Sequence, residues 1–263
     1  MVQKPIKTWL INLPRATERR AKMDAQLAKL PLDLTVFDGV DGKAREAELL
    51  QNVDVPAFER NMGRDVLIGG IGCYHSHLGV WQEILDSGED VVLVLEDDVV
   101  FHDDFMQAID LALEAQDSWD FLKLNKIRAK LPVSQGKIGP YSLNAYVGPA
   151  TGTGAYLIKR TLVERLLPKM LPVTRATDQE INRFFLHDFR LFGLEPFPSH
   201  VDDGNVSFIT GEGSVDMVKY PSLKRLPNYY LRATNYWRRF VYLVKTGAIP
   251  GSKATLLKRS WDR

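Results

Sequence analysis

The chain places three carboxylates in a row, Glu96-Asp97-Asp98, directly after the apolar run Val91-Val92-Leu93-Val94-Leu95. Acids crowded at the end of a buried segment repel one another, and burying them is costly without a counterion. A hard divalent cation takes oxygen ligands, and one held by only one or two carboxylates keeps open positions that phosphates fill. The other reading of the same residues is a solvated acidic turn that merely ends a strand. His75 and His77 lie two apart, which on a helix directs them to different faces and disfavours joint ligation of one metal. His77 then reads as a capping or packing residue. The sequence has no GxxxxGK(S/T) loop, no complete GxGxxG, no His-Glu-x-x-His and no Gly-x-Ser-x-Gly. P-loop, dinucleotide-binding, zincin and serine-hydrolase readings lose their support.

The elements that must hold these residues follow from periodicity. Val91 to Leu95 is aliphatic and β-branched, as in a strand covered on both faces, and ligands of such sheets sit beyond the carboxyl ends of the strands. Residues 6–13 and 34–37 read as further strands, with a helix between them carrying Met23, Leu27 and Leu30 on one face. Residues 44–64 look helical in part, with Pro56 interrupting. Gly69-Gly70-Ile71-Gly72 precedes a helix through Cys73, Leu78, Trp81 and Leu85 that ends at Ser87-Gly88. A helix over 105–115 and a strand over 119–124 come next, and residues 128–149, punctuated by Pro132, Gly136, Gly139 and Pro140, read as loop. Strand character resumes at 155–158, and short helical stretches follow around 161–167 and 181–185. Strands alternating with helices predict an α/β domain whose sheet is mainly parallel.

Hydrophobic content of 45% and charged content of 25% over 263 residues exclude disordered and fibrous classes. A single cysteine, Cys73, excludes an internal disulfide framework and a cysteine-rich zinc site and fits a reducing compartment. With no signal-peptide or spanning pattern, the expected location is cytoplasmic. The net charge of +1 hides an asymmetry: from residue 217 onward eleven Lys or Arg face one acid, Asp262, a balance of +10, so the preceding residues carry −9. The expected parse is one catalytic-type domain over 1–216 and a basic, aromatic-rich helical extension over 217–263. That extension suits an anionic membrane surface, or equally a helix packed on the main domain with its cations balancing acids there. A nucleic-acid partner is not expected.

Four segments, in order, carry a resemblance. They are Ile11-Asn12-Leu13 with Arg15 and Glu18-Arg19-Arg20; Gly72-Cys73-Tyr74-His75-Ser76-His77-Leu78 with Trp81; Leu95-Glu96-Asp97-Asp98; and Gly152-Thr153-Gly154-Ala155-Tyr156-Leu157-Ile158. Together they resemble glycosyltransferase family 25, which contains sugar transferases of bacterial lipopolysaccharide and lipooligosaccharide synthesis and the collagen galactosyltransferases. The sequence departs from the family at Gly69-Gly70, where an acidic residue is common after the first glycine, and at His75, where an aliphatic residue is usual.

The resemblance implies a GT-A-type, Rossmann-like mixed sheet flanked by helices. It implies inverting transfer of a hexose, galactose favoured, from a UDP-sugar, dependent on Mn²⁺ or Mg²⁺. The acceptor it implies is a lipid-linked cell-envelope glycan at the inner face of the cytoplasmic membrane. It assigns the metal to Asp98 and Glu96, with His200 as a late ligand and Asp97 turned away from the cation. It assigns the nucleotide-sugar to Asn12, Arg15, Arg19, Ser76, His77, Glu96, Asp97, Thr153 and Tyr156, with Thr153 and Tyr156 at the sugar. Asp178 is the expected base that deprotonates the acceptor hydroxyl, with Asp203 and Asp202 as alternatives, although Asp178 reads equally as a helix N-cap. A nucleotidyltransferase, which would release pyrophosphate, and a non-catalytic nucleotide-sugar or glycan-binding module are the competing classes.

Overall fold

The computed structural model describes residues 5–202 and 219–249. In chain order the elements are β1 (Ile6–Asn12), α1 (Thr17–Leu27), β2 (Leu32–Asp38), α2 (Glu46–Leu50), α3 (Val55–Met62), α4 (Ile68–Ser87), β3 (Val91–Glu96) and β4 (Val99–Phe101). There follow α5 (Phe105–Glu114), β5 (Phe121–Lys123), β6 (Arg128–Ala129), β7 (Pro132–Ile138), β8 (Tyr141–Tyr146), β9 (Ala150–Thr151) and β10 (Ala155–Lys159). The described chain closes with α6 (Arg160–Leu166), α7 (Thr177–Ile181), α8 (Phe184–His187), β11 (Leu191–Glu195), β12 (Ser199–Val201) and α9 (Leu226–Lys245).

Eight strands form one sheet in the order β2-β1-β3-β10-β5-β11-β8-β7. β2, β1 and β3 are parallel neighbours, as are β5 and β11, while β10 and β8 pair antiparallel with both of their neighbours. Six of the eight strands therefore share one direction, and the sheet is mixed but mainly parallel, as expected. The aliphatic run of β3 explains its place, since Val92, Leu93, Val94 and Leu95 are fully buried at the heart of the core. β1 pairs with β3 so that Ile11 lies opposite Glu96, which brings Asn12 and the acid triplet to the same carboxyl edge of the sheet.

The long helix α4 packs against β1 and β2 and carries Ser76 and His77 on a buried face. Its first turns press against the loop after β2: a Cβ on Gly72 would stand 2.5 Å from the Val40 carbonyl oxygen, so only glycine allows this approach. Gly88 caps the helix in the left-handed conformation, as the Ser87-Gly88 signal predicts.

Two expectations need correction, and one open alternative is partly decided. Residues 128–149 are not loop but largely the hairpin β7–β8, because Gly136 falls at a bulge, Gly139 falls in the turn and Pro132 opens an edge strand. At those places the breaker residues shape strands instead of ending them. Pro56 does not interrupt a helix; it stands in the first turn of α3 after the Asp54 cap, which accepts from the Ala57 amide. In the C-terminal extension, α9 packs on α3 and α8, burying Asn228, Arg239 and Leu243. Arg239 donates to the Asn182 carbonyl at 3.1 Å, so at least this cation is structural.

Candidate active site

At the end of β3 the three acids take three different environments. Asp97 turns toward β1 and α1, accepting from Asn12 Nδ2 at 2.7 Å and pairing with Arg19 at 2.9 Å, with both ionic side chains nearly buried. Its charge is thereby matched within the protein. Glu96 Oε1 accepts from Thr153 Oγ1 at 2.5 Å and meets His77 Nε2 at 3.1 Å. Burial works against the Glu96 charge, but His77, Thr153 and the Lys123 ammonium hold its carboxyl below the usual range.

Asp98 has no such support. Its Oδ1 is buried without a hydrogen-bond partner. Burial first, then the charges of Glu96 and Asp97, push its carboxyl up to about 7, with Arg19 opposing. An orphaned carboxylate oxygen in this position is the observation a bound cation would explain.

His77 is fully buried in a chain of donors. Trp81 Nε1 donates to the Tyr156 hydroxyl at 3.1 Å, and that hydroxyl lies 2.9 Å from His77 Nδ1. An ionised Glu96 can only accept, so His77 carries its proton on Nε2 and Tyr156 donates to Nδ1. Cys73, His77 and Glu96 offer ligand atoms within 4.8 Å of one another, but both ring nitrogens of His77 are already engaged. Tyr156 is itself fully buried, its ring stacked on Phe121 at 4.6 Å. It therefore stands behind the wall and orients His77, where the sequence reading set it at the sugar.

A pocket of about 100 Å³ opens in front of these groups, floored by Glu96, Asp97 and Asp98 and walled by Arg15, Arg19, Cys73 and the loop after β2. Arg15 reaches Asp41 at 2.7 Å across the mouth. Ser76 also lines the pocket, but its hydroxyl is committed, accepting from the Val40 amide at 2.8 Å and donating to the Gly72 carbonyl at 2.9 Å. Its role is to hold the wall.

Asp178 lies in the first turn of α7 and is no N-cap; Ala176 holds that position, and no side chain caps the helix. Its Oδ2 instead accepts from the Gly152 amide at 3.3 Å, which ties α7 to the turn bearing Thr153. Among the described residues His200 finds its partner in His102, at 2.9 Å on an exposed edge. Asp202 bonds through its amide to the Asp98 carbonyl at 2.8 Å, and Asp203 lies outside the described residues.

Lys123 and Asn125 escape a reading by motif, and Cys73 is read there without a role. Lys123, fully buried, donates to the Gly152 carbonyl, and its ammonium is pushed down to about 8 by burial against the pull of Asp178 and Glu96. The only signal was a lysine inside the apolar run Trp119-Asp120-Phe121-Leu122-Lys123-Leu124. Asn125 is buried with neither amide atom bonded, and nothing in its loop setting announces that. Cys73 sits among Glu96, Asp178 and Asp98 and is hydrogen-bonded with Thr177; burial and those charges push its thiol far up, so it is no nucleophile.

Residues 5–181 match the family model described as glycosyltransferase family 25 (LPS biosynthesis protein). The chain is 27% identical over 228 residues to procollagen galactosyltransferase 1 of Danio rerio, covering 76% of this chain and 38% of that protein. It is also 27% identical over 219 residues to the probable inactive glycosyltransferase 25 family member 3 of Rattus norvegicus, covering 74% of this chain and 38% of that protein. The chain thus spans well under half the length of the curated relatives it matches. Among solved structures, the glycosyltransferase GlyE of Streptococcus pneumoniae TIGR4 aligns over 96% of this chain and 66% of that one, with 12% identity and a TM-score of 0.44.

Proposed function

The chain belongs to glycosyltransferase family 25, and from that premise we propose that it is a metal-dependent, inverting hexosyltransferase. In this reading it moves a hexose, galactose favoured, from a UDP-sugar to a hydroxyl of a cell-envelope glycan. The observation that supports it is the buried Asp98 Oδ1, without a hydrogen-bond partner, beside Glu96 in a pocket that also presents Arg15 and Arg19. Relatives named inactive match the chain as well as the galactosyltransferases do, so identity does not decide turnover and the residues must.

The oxygen donors fit a hard cation, Mn²⁺ or Mg²⁺. Asp98 would be its principal ligand, and Glu96 a lesser one because its Oε1 is already taken by His77 and Thr153. When bound, such an ion offsets the negative charge that develops on the departing diphosphate. The remaining work falls to the chain's own groups. Arg15 and Arg19 lie where planar guanidinium forks can meet phosphate oxygens. Asp178 takes the proton of the attacking acceptor hydroxyl, whose oxygen bonds the anomeric carbon as the bond to UDP breaks on the opposite face. His77, fixed by Tyr156, and Thr153 hold Glu96 in one orientation, so that little reorganisation accompanies the reaction.

Thermal stabilisation by UDP-, GDP- and CMP-sugars, with and without Mn²⁺, tests this reading. Manganese-dependent stabilisation by UDP-sugars alone is the expected result, and indifference to every nucleotide sinks it. The same reading sets the acceptor on a lipid at an anionic membrane face. No helix among the described residues is long and apolar enough to cross a membrane. Support comes from the outer side of α9, where Tyr230, Trp237 and Phe240 are exposed beside Arg238 and Lys245. Co-sedimentation with phosphatidylglycerol vesicles should fall for Trp237→Ser with Phe240→Ser, and equal binding of both forms overturns the membrane contact.

A further inference from the structure

A second cavity, of about 280 Å³, lies where α9 meets α3 and α7, close to the lower end of ligand-pocket sizes of roughly 300–1,000 Å³. Its walls are strongly cationic. Arg64, Arg128 and Arg175 come from three separate segments of the sheet domain, and Lys219, Arg225, Arg232 and Arg239 come from the C-terminal extension. Among the described residues lining it there is no Asp or Glu.

Two of these charges are answered within the protein, Arg175 by Glu180 at 2.6 Å and Arg239 by the Asn182 carbonyl. Two are not: Arg64 Nη1 and Arg225 Nε are buried without a hydrogen-bond partner. Burial already weakens the charged forms of Arg64, Arg175 and Arg239. Guanidinium groups that repel one another and hold unbonded donors out of water describe a site for an oxyanion, which the planar fork binds in a bidentate manner.

The cavity's position relates the oxyanion to Asp178. Thr177 meets Cys73 in the wall of the acidic pocket, whereas Gln179, two residues on and so on another face of α7, lines the basic cavity. Asp178 stands between them, near enough to Arg64 for its charge to be felt there. A group held on Arg64 and Arg225 thus lies beside Asp178, on a different face of α7 from the wall of the acidic pocket.

We infer that this cavity binds an anionic substituent, a phosphate or a carboxylate, carried by the acceptor glycan, and so presents the acceptor hydroxyl to Asp178. The inference rests on the transferase reading and adds the acceptor's chemical class to it.

The test is calorimetric titration of the full chain, saturated with UDP and Mn²⁺, with glucose 6-phosphate, glucuronic acid and glucose. At least one anionic sugar should bind, at least tenfold tighter than glucose and with an affinity that falls as salt rises. Which anionic sugar binds tells phosphate from carboxylate. Arg225→Gln with Arg232→Gln should weaken that binding at least tenfold, and Arg128→Gln, at the exposed rim, provides a second variant if the first does not fold. Anionic sugars that bind no better than glucose, or that bind both variants as they bind the wild type, overturn the inference while UDP binding stands. Failure of UDP itself to bind overturns the donor reading instead, and an anionic sugar that competes with UDP is in the donor pocket and also overturns this one.

Discussion

The two cavities flanking α7 face opposite electrostatic problems and leave them unsolved in the same way. On the acidic side Asp97 is matched by Arg19 and Glu96 by His77 and Thr153, which leaves Asp98. On the basic side Arg175 is matched by Glu180 and Arg239 by a carbonyl, which leaves Arg64 and Arg225. Each cluster holds buried charge that the chain itself does not pair. A fold that pairs some members of a charged cluster and leaves others buried without a partner has kept those for something outside the chain. The sign of the abandoned charge then names the missing partner, a cation on one side and an oxyanion on the other.

The comparison breaks most visibly at Asp98. Asp98→Asn should lower sugar transfer by about 10³-fold, the cost of losing one preorganised charge-stabilising group. It should also leave the metal-free protein at least as stable at pH 8, since a buried, unsupported charge is removed. A transfer assay beside a melting curve checks both, and full activity in Asp98→Asn ends the metal assignment.

Glu180 is the contrasting case, a carboxylate whose charge is fully matched. Burial opposes its charge, but His187, Arg175 and Arg183 pull its carboxyl down to about 2. A depressed folded value means stability that is complete above the ordinary carboxylate range and is lost as pH falls toward 2. Glu180→Gln strands Arg175 and should cost about 3 kcal/mol near neutrality. Urea midpoints measured from pH 7 to pH 3 should show the variant and the wild type converging as pH falls.

Asp98 runs the other way. With its folded value raised to about 7, the metal-free chain loses stability as pH rises from the unfolded value of about 4 through 7, because the unfolded state there binds fewer protons than the native one. A cation must displace that proton, so its stabilising effect should grow with pH. At pH 6 a group titrating near 7 is only about one-tenth ionised, which predicts an apparent metal affinity roughly tenfold weaker than at pH 8. Melting shifts with Mg²⁺ at the two pH values measure it. The smallest effect belongs to Tyr156→Phe, which unties Trp81 from His77 at a cost of about 1 kcal/mol. Its diagnostic readout is a lower kcat with the KM for UDP-sugar nearly kept, since Glu96 is misoriented while the nucleotide contacts remain.

Much of the acidic side was legible in the sequence because its residues sit at the ends of long, periodic elements. The apolar run of β3 and the capping signals of α4 locate Glu96, Asp98 and His77 without reference to distant parts of the chain. Residues 128–149 misled because Gly136 and Gly139 mark a bulge and a turn as readily as a loop, and only pairing with β11 decides between them. Lys123 and Asn125 were hidden for a related reason: what makes them notable is burial beside Gly152 and Gly154, which arrive from 29 residues downstream. The basic cavity is the extreme case. Its cations come from the segment after α3, from β6, from the segment before α7 and from the extension, so sequence showed a charged tail but not the arginines it would meet.

The walls of that cavity have two origins. Arg64, Arg128 and Arg175 lie inside the stretch that matches the family, while Arg225 and Arg232 lie on or beside α9, outside it. α9 is fastened through Asn228, which donates to the Asn61 carbonyl at 2.5 Å, through Arg239 and Leu243, and through Tyr242, which donates to Asp188 at 2.9 Å, while Arg232 is exposed on its surface. Change in one surface helix can therefore redirect the protein to new recipients while the sheet and its carboxylates are inherited untouched. Grafting residues 219–249 between relatives is the corresponding engineering route, an address label exchanged without rewriting the machine that reads it.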